Sequence, residues 1–555
     1  MDINDYFKLP IEYVSNKVSL SDNIKDDLEL VDVKDTESCK PLYHYVFNPN
    51  HPYEKDLLTG WSKYYTTDKT FLKESQDFIK KNKLTHNTNV LSIYNEWNTL
   101  KNEKHFKEHY HYFGWDMLDS LNRSSNAMHI LSIYNLGSPL LSLLMPVFIL
   151  IFPFFILKLK GAKITVASYM QLIKLLFAKN SIFKLFTEFG SAPLDKKMYL
   201  LMSVIFYCVQ IYQNIISCLN FYNNIKKITK LFANIKNYLK NTILLCDEVS
   251  LAISNYTTYN AFNRQIESHK SVLEALSNKL KTIIETPYTI LHLSQIGKIM
   301  KEFYELFMDN KYNESMLFSF GLYGYISNLQ SLKLHLKNKS MASCKFGKET
   351  KFKKAYYASL INDKPVKNSY KIINNEIITG PNAAGKTTML KSTLFNIICS
   401  QQFGLGFYSK ATISPYNYLH CYLNIPDTSG RDSLFQAEAR RCKEIIEFID
   451  ENQNQKHFCI FDELYSGTNP DDATESANAF IQYLCKKPVT FMLTTHYIDL
   501  CKQLDKTKNI NNSCMKIKNT GNKIEYTYQY IDGICNIKGG KQVLKDLGYP
   551  DEIIN

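Results

Sequence analysis

The stretch from Ser124 to Leu157 contains no aspartate, glutamate, lysine or arginine, and its second half reads PLLSLLMPVFILIFPFFIL. The nineteen residues from Pro139 to Leu157 come close to the roughly 20 that a helix needs to cross the hydrocarbon core of a bilayer. Pro146 and Pro153 would interrupt a helix in a water-soluble protein but are tolerated in membrane helices. The chain can therefore place this stretch only in lipid or in a deep apolar core.

A second uncharged run covers residues 198–225, although Gln210, Gln213 and Asn214 interrupt its apolar character. Together the two runs predict a hairpin with membrane segments at about 139–157 and about 199–219. Two spans would leave the N-terminal region and the C-terminal domain on the same, cytosolic side of the membrane.

The segment between the two runs opposes this topology because it is strongly basic, with only Glu188 and Asp195 as acidic residues. Its lysines are Lys158, Lys160, Lys163, Lys174, Lys179, Lys184, Lys196 and Lys197. The positive-inside rule predicts that so basic a loop stays in the cytosol. Three interpretations stay open: a spanning hairpin, a re-entrant or interfacial hairpin, and the buried core of a helical domain.

Changes in the character of the sequence predict four regions. We expect a mainly helical N-terminal region at 1–125, the apolar hairpin at 126–225, long helices at 226–345, and an α/β domain at 346–555. In the third region apolar residues recur at helical spacing with few glycines or prolines. In the last region short β-branched strands alternate with helices, which is typical of a mainly parallel sheet.

The balance of 66 basic against 53 acidic residues gives a net charge of +13. This favours nucleic acid or anionic lipid as a partner, with a plain solvated lysine-rich surface as the alternative. Thirteen cysteines without a CxxC pair indicate neither a zinc site nor a disulfide framework, and point to a reducing compartment. The N-terminus lacks an apolar signal region, so we expect a cytoplasmic or nuclear location, not secretion, with membrane association open.

The segment GPNAAGKTT fits the pattern G-x-x-x-x-G-K-[ST] at Gly380, Gly385, Lys386 and Thr387. It follows the strand-like NEIIT and precedes the helical MLKSTLFNIICS. Backbone N–H groups of such a loop wrap phosphates, and the helix N-terminus adds partial positive charge. Lys386 can reach the β- and γ-phosphates, and the hydroxyl of Thr387 can ligate magnesium. The sequence therefore predicts a nucleotide site.

Two further apolar strands are predicted to end at the same edge of the sheet. HFCIFDEL ends in Asp462, which can hold magnesium, and Glu463, which can orient or deprotonate an attacking water. VTFMLTTHY ends at His496, which can sense the γ-phosphate or position water. The alternative for His496 is an ordinary histidine at a strand end.

Between these strands, DTSGRDSLFQAEARRCKEI holds three of the five arginines of the chain. Arginine used so selectively indicates sites that need a planar, bidentate donor. The alternative is a surface helix with charge pairs such as Glu438 with Arg441.

These motifs together resemble the ATPase domain of the MutS family of DNA mismatch repair proteins. TGPNAAGKTT, SGRDSLFQAE, FDELYSGTNPDDA and TTHY occur in the family's order, and GICNIKGGKQVLKDLGYPDEII resembles its final helical segment. The resemblance is specific over roughly 355–555. It implies an ABC-type ATPase that uses ATP and magnesium, acts on duplex DNA, and completes its active sites across a homodimer.

The resemblance also implies roles for individual residues. Glu463, His496 and Lys386 would be catalytic, and Thr387 and Asp462 would hold magnesium. Ser433 would reach the γ-phosphate of the partner subunit. The nucleotide would be bound by Gly380, Pro381, Asn382, Ala383, Ala384, Gly385, Lys386, Thr387 and Thr388. The loop facing the partner would contain Gly467, Thr468 and Asn469, and the base would lie near Pro365 or Val366.

Two features bear on whether this chain reads mismatches. Members of the family that bind mismatches carry a Phe-x-Glu wedge near the N-terminus, and KEFYELFMDN contains Phe303 and Glu305 in that pattern. Helical spacing of the surrounding apolar residues predicts instead that Phe303 lies in a core helix. The lysines of NIKKITKLFANIKNYLK could contact DNA phosphates, form a solvated face, or lie beside lipid headgroups.

The expectation is thus an ATP-binding and ATP-hydrolysing dimer that clamps DNA in mismatch repair or a related process. The alternative is a membrane-associated ATPase of the same type that acts on a protein partner. An inactive nucleotide-sensing scaffold is disfavoured because no catalytic position is lost.

Overall fold

The computed structural model describes most of the chain. The described residues are 2–33, 39–84, 89–159, 193–283, 290–423, 433–505, 507–519 and 524–537, with short pieces at 161, 165, 169–171, 173–175, 425 and 549–550. The predicted final helical segment lies largely outside them.

Helices dominate the first part of the described chain, as expected, and strands appear mainly after residue 340. The helices are α1 (Asp22–Asp27), α2 (Leu42–Phe47), α3 (Pro52–Trp61), α4 (Lys69–Lys81), α5 (Val90–Lys101), α6 (Phe106–His109), α7 (Asp119–Asn122), α8 (Ser125–Leu159), α9 (Leu194–Ile253), α10 (Asn260–Lys281), α11 (Ile290–Met308), α12 (Asn310–Lys337), α13 (Lys386–Phe403), α14 (Leu434–Glu451), α15 (Pro470–Leu484) and α16 (Ile498–Leu504). The strands are β1 (Lys17–Ser19), β2 (Tyr64–Thr66), β3 (Ala342–Phe346), β4 (Thr350–Ala355), β5 (Asn368–Ile372), β6 (Asn375–Thr379), β7 (Leu405–Gly406), β8 (Lys410–Ile413), β9 (Tyr418–Tyr422), β10 (His457–Asp462), β11 (Val489–Thr495), β12 (Ile510–Asn519) and β13 (Ile524–Asp532).

The chain divides into two compact units that each draw on separate parts of the sequence. The first unit contains 1–87, 244–270 and 315–555, and the second contains 88–243 and 271–314. The four-part division predicted from the sequence stays a prediction.

The first unit is built on a six-stranded sheet with the order β13-β12-β6-β11-β10-β9. β9, β10, β11, β6 and β12 run parallel, and β13 is antiparallel to β12. The α/β fold expected for the C-terminal region is therefore present. Strands buried on both faces explain why HFCIF and VTFML are continuous apolar runs.

One helix of this unit, α13, is buried over nearly its whole length, which accounts for its lack of a polar face. At its C-terminal end the amides of Gln401 and Gln402 hydrogen-bond to backbone carbonyls. Gln402 Nε2 donates to the carbonyl of Trp61 at 2.6 Å, and Gln401 Nε2 donates to the carbonyl of Tyr416 at 2.9 Å. The N-terminal segment thus belongs to the same core as the sheet.

The second unit is helical, and its core includes the residue that resembled a mismatch wedge. Phe303 is 1% exposed, and its ring centroid lies 4.8 Å from that of Tyr110 and 5.3 Å from that of Phe106. The carboxylate of Glu305 pairs with the ammonium of Lys279 at 2.6 Å. The prediction of a buried core position for Phe303 is confirmed.

The two uncharged runs lie in α8 and in the first half of α9. Among the described residues, Ser125–Met145 and Leu194–Ile253 are long and apolar enough to cross a membrane by length and composition. Large apolar side chains of both runs, such as Phe152 and Phe206, are exposed. The structure therefore does not bury these runs in a helical core, which was one of the three interpretations of the sequence.

Replacing Phe303 with alanine should destabilise the second unit without changing any exposed surface. Removing a buried phenylalanine typically costs about 3–5 kcal/mol of unfolding free energy because it leaves a cavity. The measurement is denaturant unfolding of the full chain, with Leu334→Ala, at an exposed site, as the control. Unchanged stability combined with altered DNA affinity would show that Phe303 is accessible.

Candidate active site

The glycine loop at residues 380–385 connects the buried strand β6 to α13. Gly385 has φ +93°, a left-handed conformation that favours glycine, and α13 begins at the next residue. A Cβ on Gly385 would lie 3.2 Å from Cδ1 of Tyr528, so the position also demands a small residue. The first N–H groups of a helix such as α13 have no partner within the helix, and together with the helix dipole they favour the binding of an anion.

The side chain of Lys386 lies beneath this loop and is 5% exposed. Its Nζ donates to the carbonyl of Gly380 at 2.8 Å and lies 3.2 Å from Oε1 of Glu463. The glycine loop and the end of β10 are thereby joined by one ammonium group.

The predicted magnesium residues are in direct contact. Thr387 Oγ1 donates to Oδ2 of Asp462 at 2.7 Å, and Thr494 Oγ1 donates to Oδ1 of the same carboxylate. A hydroxyl beside a carboxylate forms the kind of hard oxygen site that magnesium prefers. Sequence reasoning missed Thr494, although it lies in the TTHY motif, two residues before His496.

Glu463 lies at the end of β10 between two basic side chains. Nδ1 of His496 lies 3.6 Å from its Oε2, and Lys386 lies on the other side. These two neighbours, His496 first, lower the pKa of Glu463 from 4.5 to about 2, against the opposing effect of partial burial. Glu463 is therefore held as a carboxylate.

Most of the predicted binding residues line one cleft with a volume of about 870 Å³. Asp462 and Glu463 line it together with Pro381, Asn382, Ala383, Gly385, Lys386, Thr387 and Thr388. Gly380 and Ala384 are buried in the loop beneath it, and His496 reaches the site through Glu463.

Pro365 and Val366, the two residues expected near the base, line the same cleft. Tyr357, Met515 and Tyr528 also line it, and sequence reasoning missed all three. Each comes from a segment distant in sequence from the glycine loop, so no local motif marks it.

Tyr528 is held over the loop in a left-handed conformation, with φ +54°. Asn368 Nδ2 donates to the carbonyl of Tyr528 at 3.0 Å, and Oδ1 of Asn368 accepts from the N–H of Tyr530 at 2.9 Å. Non-glycine residues with positive φ also occur elsewhere around the cleft, at Ala383 and Glu463. Such strain is often concentrated at functional sites.

Ser433 does not line the cleft of its own chain. It is the exposed N-cap of α14, where its Oγ accepts from the N–H of Gln436 and its N–H donates to Oε1 of Gln436. The contact of Ser433 with the γ-phosphate of a partner subunit stays a prediction. Arg431, two residues earlier, lies outside the described residues.

Glu438 does not form the pair with Arg441 that illustrated the alternative interpretation of this helix as a charged surface helix. Its buried carboxylate accepts from the N–H and hydroxyl of Ser466 and from the N–H of Gly467. Arg441 pairs with Glu444 at 3.3 Å. Helical spacing alone favoured the local pair, whereas the backbone N–H groups of a nearby loop bind the carboxylate in the fold. Glu438 thus ties α14 to the loop that contains Gly467, Thr468 and Asn469.

The sequence profile of MutS domain V matches residues 376–555. The C-terminal region belongs to the MutS family.

A DNA mismatch repair protein MutS from Clostridium perfringens is 30% identical over 183 residues, which are 32% of this chain and 20% of the relative. An Endonuclease MutS2 from Clostridium acetobutylicum is 24% identical over 290 residues, 50% of this chain and 35% of the relative. A DNA mismatch repair protein MutS from Wolbachia pipientis wMel is 28% identical over 199 residues, 35% of this chain and 23% of the relative. The chain thus spans only 20–35% of the length of these three relatives.

The ionised carboxylate of Glu463 in the MutS domain should contribute stability that depends on pH. Because folding lowers its pKa from 4.5 to about 2, the contribution is present above pH 4.5 and is lost as the pH falls towards 2. The difference in Tm between wild type and Glu463→Gln should therefore shrink over that interval. Glu475→Gln, at an exposed position on α15, corrects for the loss of one surface charge. A difference that does not vary with pH would contradict the assigned ion pairs.

Replacing Glu438 with glutamine should loosen the loop after β10. A hydrogen bond to a charged acceptor contributes about 1.5–3 kcal/mol, so hydrogen exchange at Ser466 and Gly467 should be faster by roughly 10- to 100-fold. The matched control is Glu444→Gln, which removes a more exposed carboxylate from the same helix. Equal exchange rates in the two variants would mean that the Glu438 carboxylate does not hold the loop.

Proposed function

We propose that this chain binds and hydrolyses ATP with magnesium in the cleft of its MutS domain, and that it acts on duplex DNA as a nucleotide-dependent homodimer. The observation that carries the proposal is the meeting of Lys386, Thr387, Asp462 and Glu463 at one edge of the sheet. These four side chains come from two segments separated by about 75 residues of sequence.

The roles follow from the contacts. Lys386 would bind the β- and γ-phosphates, and Thr387 and Asp462 would hold magnesium. When bound there, magnesium would neutralise charge on the phosphate oxygens. Glu463 would orient the attacking water, because a carboxylate with a pKa of about 2 is a weak base.

Nucleotide binding should change the basicity of Glu463. A triphosphate competes with Glu463 for the ammonium of Lys386, since Nζ now lies 3.2 Å from the carboxylate. Moving that positive charge to the phosphates would remove one of the two interactions that lower the pKa of Glu463, while the larger one, with His496, remains. Glu463 would therefore keep the role of orienting the water, with the imidazole of His496 beside it.

Two observations support the dimer and the DNA substrate. Ser433 is exposed and lies outside the cleft of its own chain, so its predicted γ-phosphate contact requires a second copy. In the second unit, Lys230 and Lys240 are exposed on α9, where they can contact DNA phosphates.

The test is ATP turnover by the full chain in mild detergent, with and without duplex DNA, at low and at higher salt. We expect DNA to stimulate turnover and salt to weaken the stimulation, because phosphate contacts release counterions. Glu463→Gln should bind ATP and accumulate as the dimer, and Lys386→Ala should fail to hold ATP.

Wild-type turnover by Glu463→Gln would contradict the role assigned to Glu463. Robust ATP turnover at the same rate with and without DNA would contradict the proposal that the chain acts on DNA. It would favour the alternative of an ATPase acting on a protein partner. Glu475→Gln serves as the matched control, since Glu475 is an exposed carboxylate outside the cleft.

A further inference from the structure

Two helices of the second unit present apolar side chains to their surroundings. On α8 the exposed large apolar residues include Leu140, Leu141, Leu143, Leu144, Phe152 and Phe155. On α9 they include Tyr199, Met202, Ile205, Phe206, Val209 and Tyr212. Outward faces of helices in water-soluble proteins are normally charged and polar. No lysine, arginine, aspartate or glutamate occurs in 130–157 or in 198–222, which we call the hairpin band.

Several polar groups of the hairpin band lie in the seam between the two helices. Tyr207 OH donates to the carbonyl of Ser142 at 2.9 Å, and Asn214 Nδ2 donates to Oγ of Ser142. Farther along, Cys218 Sγ donates to the carbonyl of Leu136 at 3.4 Å. Asn214, which interrupts the apolar run in the sequence, is thus directed at the partner helix. Small residues and polar side chains between helices, with apolar side chains outside, form the pattern of helix pairs in membranes.

Two serine hydroxyl groups of α8 donate to the backbone of their own helix. Ser132 Oγ donates to the carbonyl of Met128 at 2.6 Å, and Ser142 Oγ donates to the carbonyl of Ser138 at 2.8 Å. Side chains that hydrogen-bond to their own helix need no water. This matters in hydrocarbon, where an unpaired polar group costs several kcal/mol.

Lipid accounts for the exposed faces better than a protein partner does. At about 100° per residue, the exposed side chains of Leu143, Leu140, Leu141 and Met145 span an arc of about 200° around α8, which is more than half of its circumference. A protein partner would cover one stripe of the helix, whereas the hydrocarbon of a bilayer contacts every side chain that faces outwards. The 28 residues of 130–157 extend about 42 Å as a helix, against about 30 Å for a hydrocarbon core.

The ends of the hairpin band carry cationic side chains. Lys158 is exposed at the end of α8, and Lys196 is exposed at the start of α9. Lys226 and Lys227 are exposed beyond the other end of the band. Lysines at such positions can extend to the phosphates of lipid headgroups while the apolar part stays in hydrocarbon.

We propose that the hairpin band inserts into the hydrocarbon of a lipid bilayer as a helical pair, and thereby attaches this chain to a membrane. Gln210 and Gln213 are exposed on α9, so the half of the band towards 143–157 and 198–209 is the most apolar. The proposal does not depend on ATP hydrolysis or on DNA.

The test is cell-free synthesis of the full chain with vesicles of phosphatidylcholine and phosphatidylserine, followed by flotation and an alkaline carbonate wash. A membrane-impermeant maleimide then reports two native cysteines. Cys208 is exposed within the hairpin band, and Cys39 is exposed in the first unit. We expect floated chain to resist carbonate, with Cys39 labelled and Cys208 protected until the membrane is dissolved in SDS.

A pair of variants tests the hairpin band itself. Phe152→Arg combined with Phe206→Arg places two charges at exposed positions of its most apolar half. Each charge opposes insertion strongly, so we expect the carbonate-resistant fraction to fall at least about tenfold. Leu251→Arg combined with Leu334→Arg changes exposed leucines outside the band and should leave that fraction unchanged. Circular dichroism in mild detergent verifies that all variants keep their helical content.

Four results would overturn the proposal. The chain could stay in the aqueous fraction with Cys208 reactive, or it could form a discrete soluble oligomer in which a second copy protects Cys208. It could float only until the carbonate wash, which would mean surface attraction by lysines alone. It could also sediment equally with and without vesicles.

Discussion

Backbone hydrogen bonds that align β6, β11 and β10 in parallel are the constraint on which the candidate site depends. The register places Thr379 opposite Thr495 and Asp462 opposite Thr494, so three strands end at one edge of the sheet. The glycine loop, Thr387, Asp462 and Glu463 are all held at that edge. Because the strands are buried on both faces, a slip in register would displace apolar side chains from the core. The geometry of the site is therefore stabilised by the packing of the whole sheet.

Much of this site could be predicted from the sequence because its motifs are local. The glycine loop, Asp462 and Glu463 each follow an apolar strand directly, and parallel strands deliver their ends to a common edge. Tyr357, Met515 and Tyr528 could not be found in this way. They reach the cleft through the packing of strands and loops that are far apart in sequence, and spacing carries no information about such contacts.

The sequence also does not contain the direction in which a side chain points in the fold. Helical spacing allows Glu438 to pair with Arg441, but only the fold shows that its carboxylate points at the loop of Ser466 and Gly467. In the sequence of the hairpin band, Asn214 interrupts an apolar run. In the fold its side chain points into the seam and donates to Ser142. Burial of Phe303, in contrast, was predictable because one continuous apolar stripe on a helix identifies its core face.

The contact between Glu438 and the loop of Ser466 and Gly467 bears on the order in which two ATP sites would act. One end of α14 carries Ser433, and Glu438 in its second turn binds the backbone that follows Glu463 by three and four residues. In the proposed dimer, a displacement of Ser433 by the nucleotide of the other copy would be transmitted to Glu463 through the side chain of Glu438 and a few peptide units. Because this connection is short, the two proposed ATP sites of a dimer would hydrolyse ATP in alternation rather than independently.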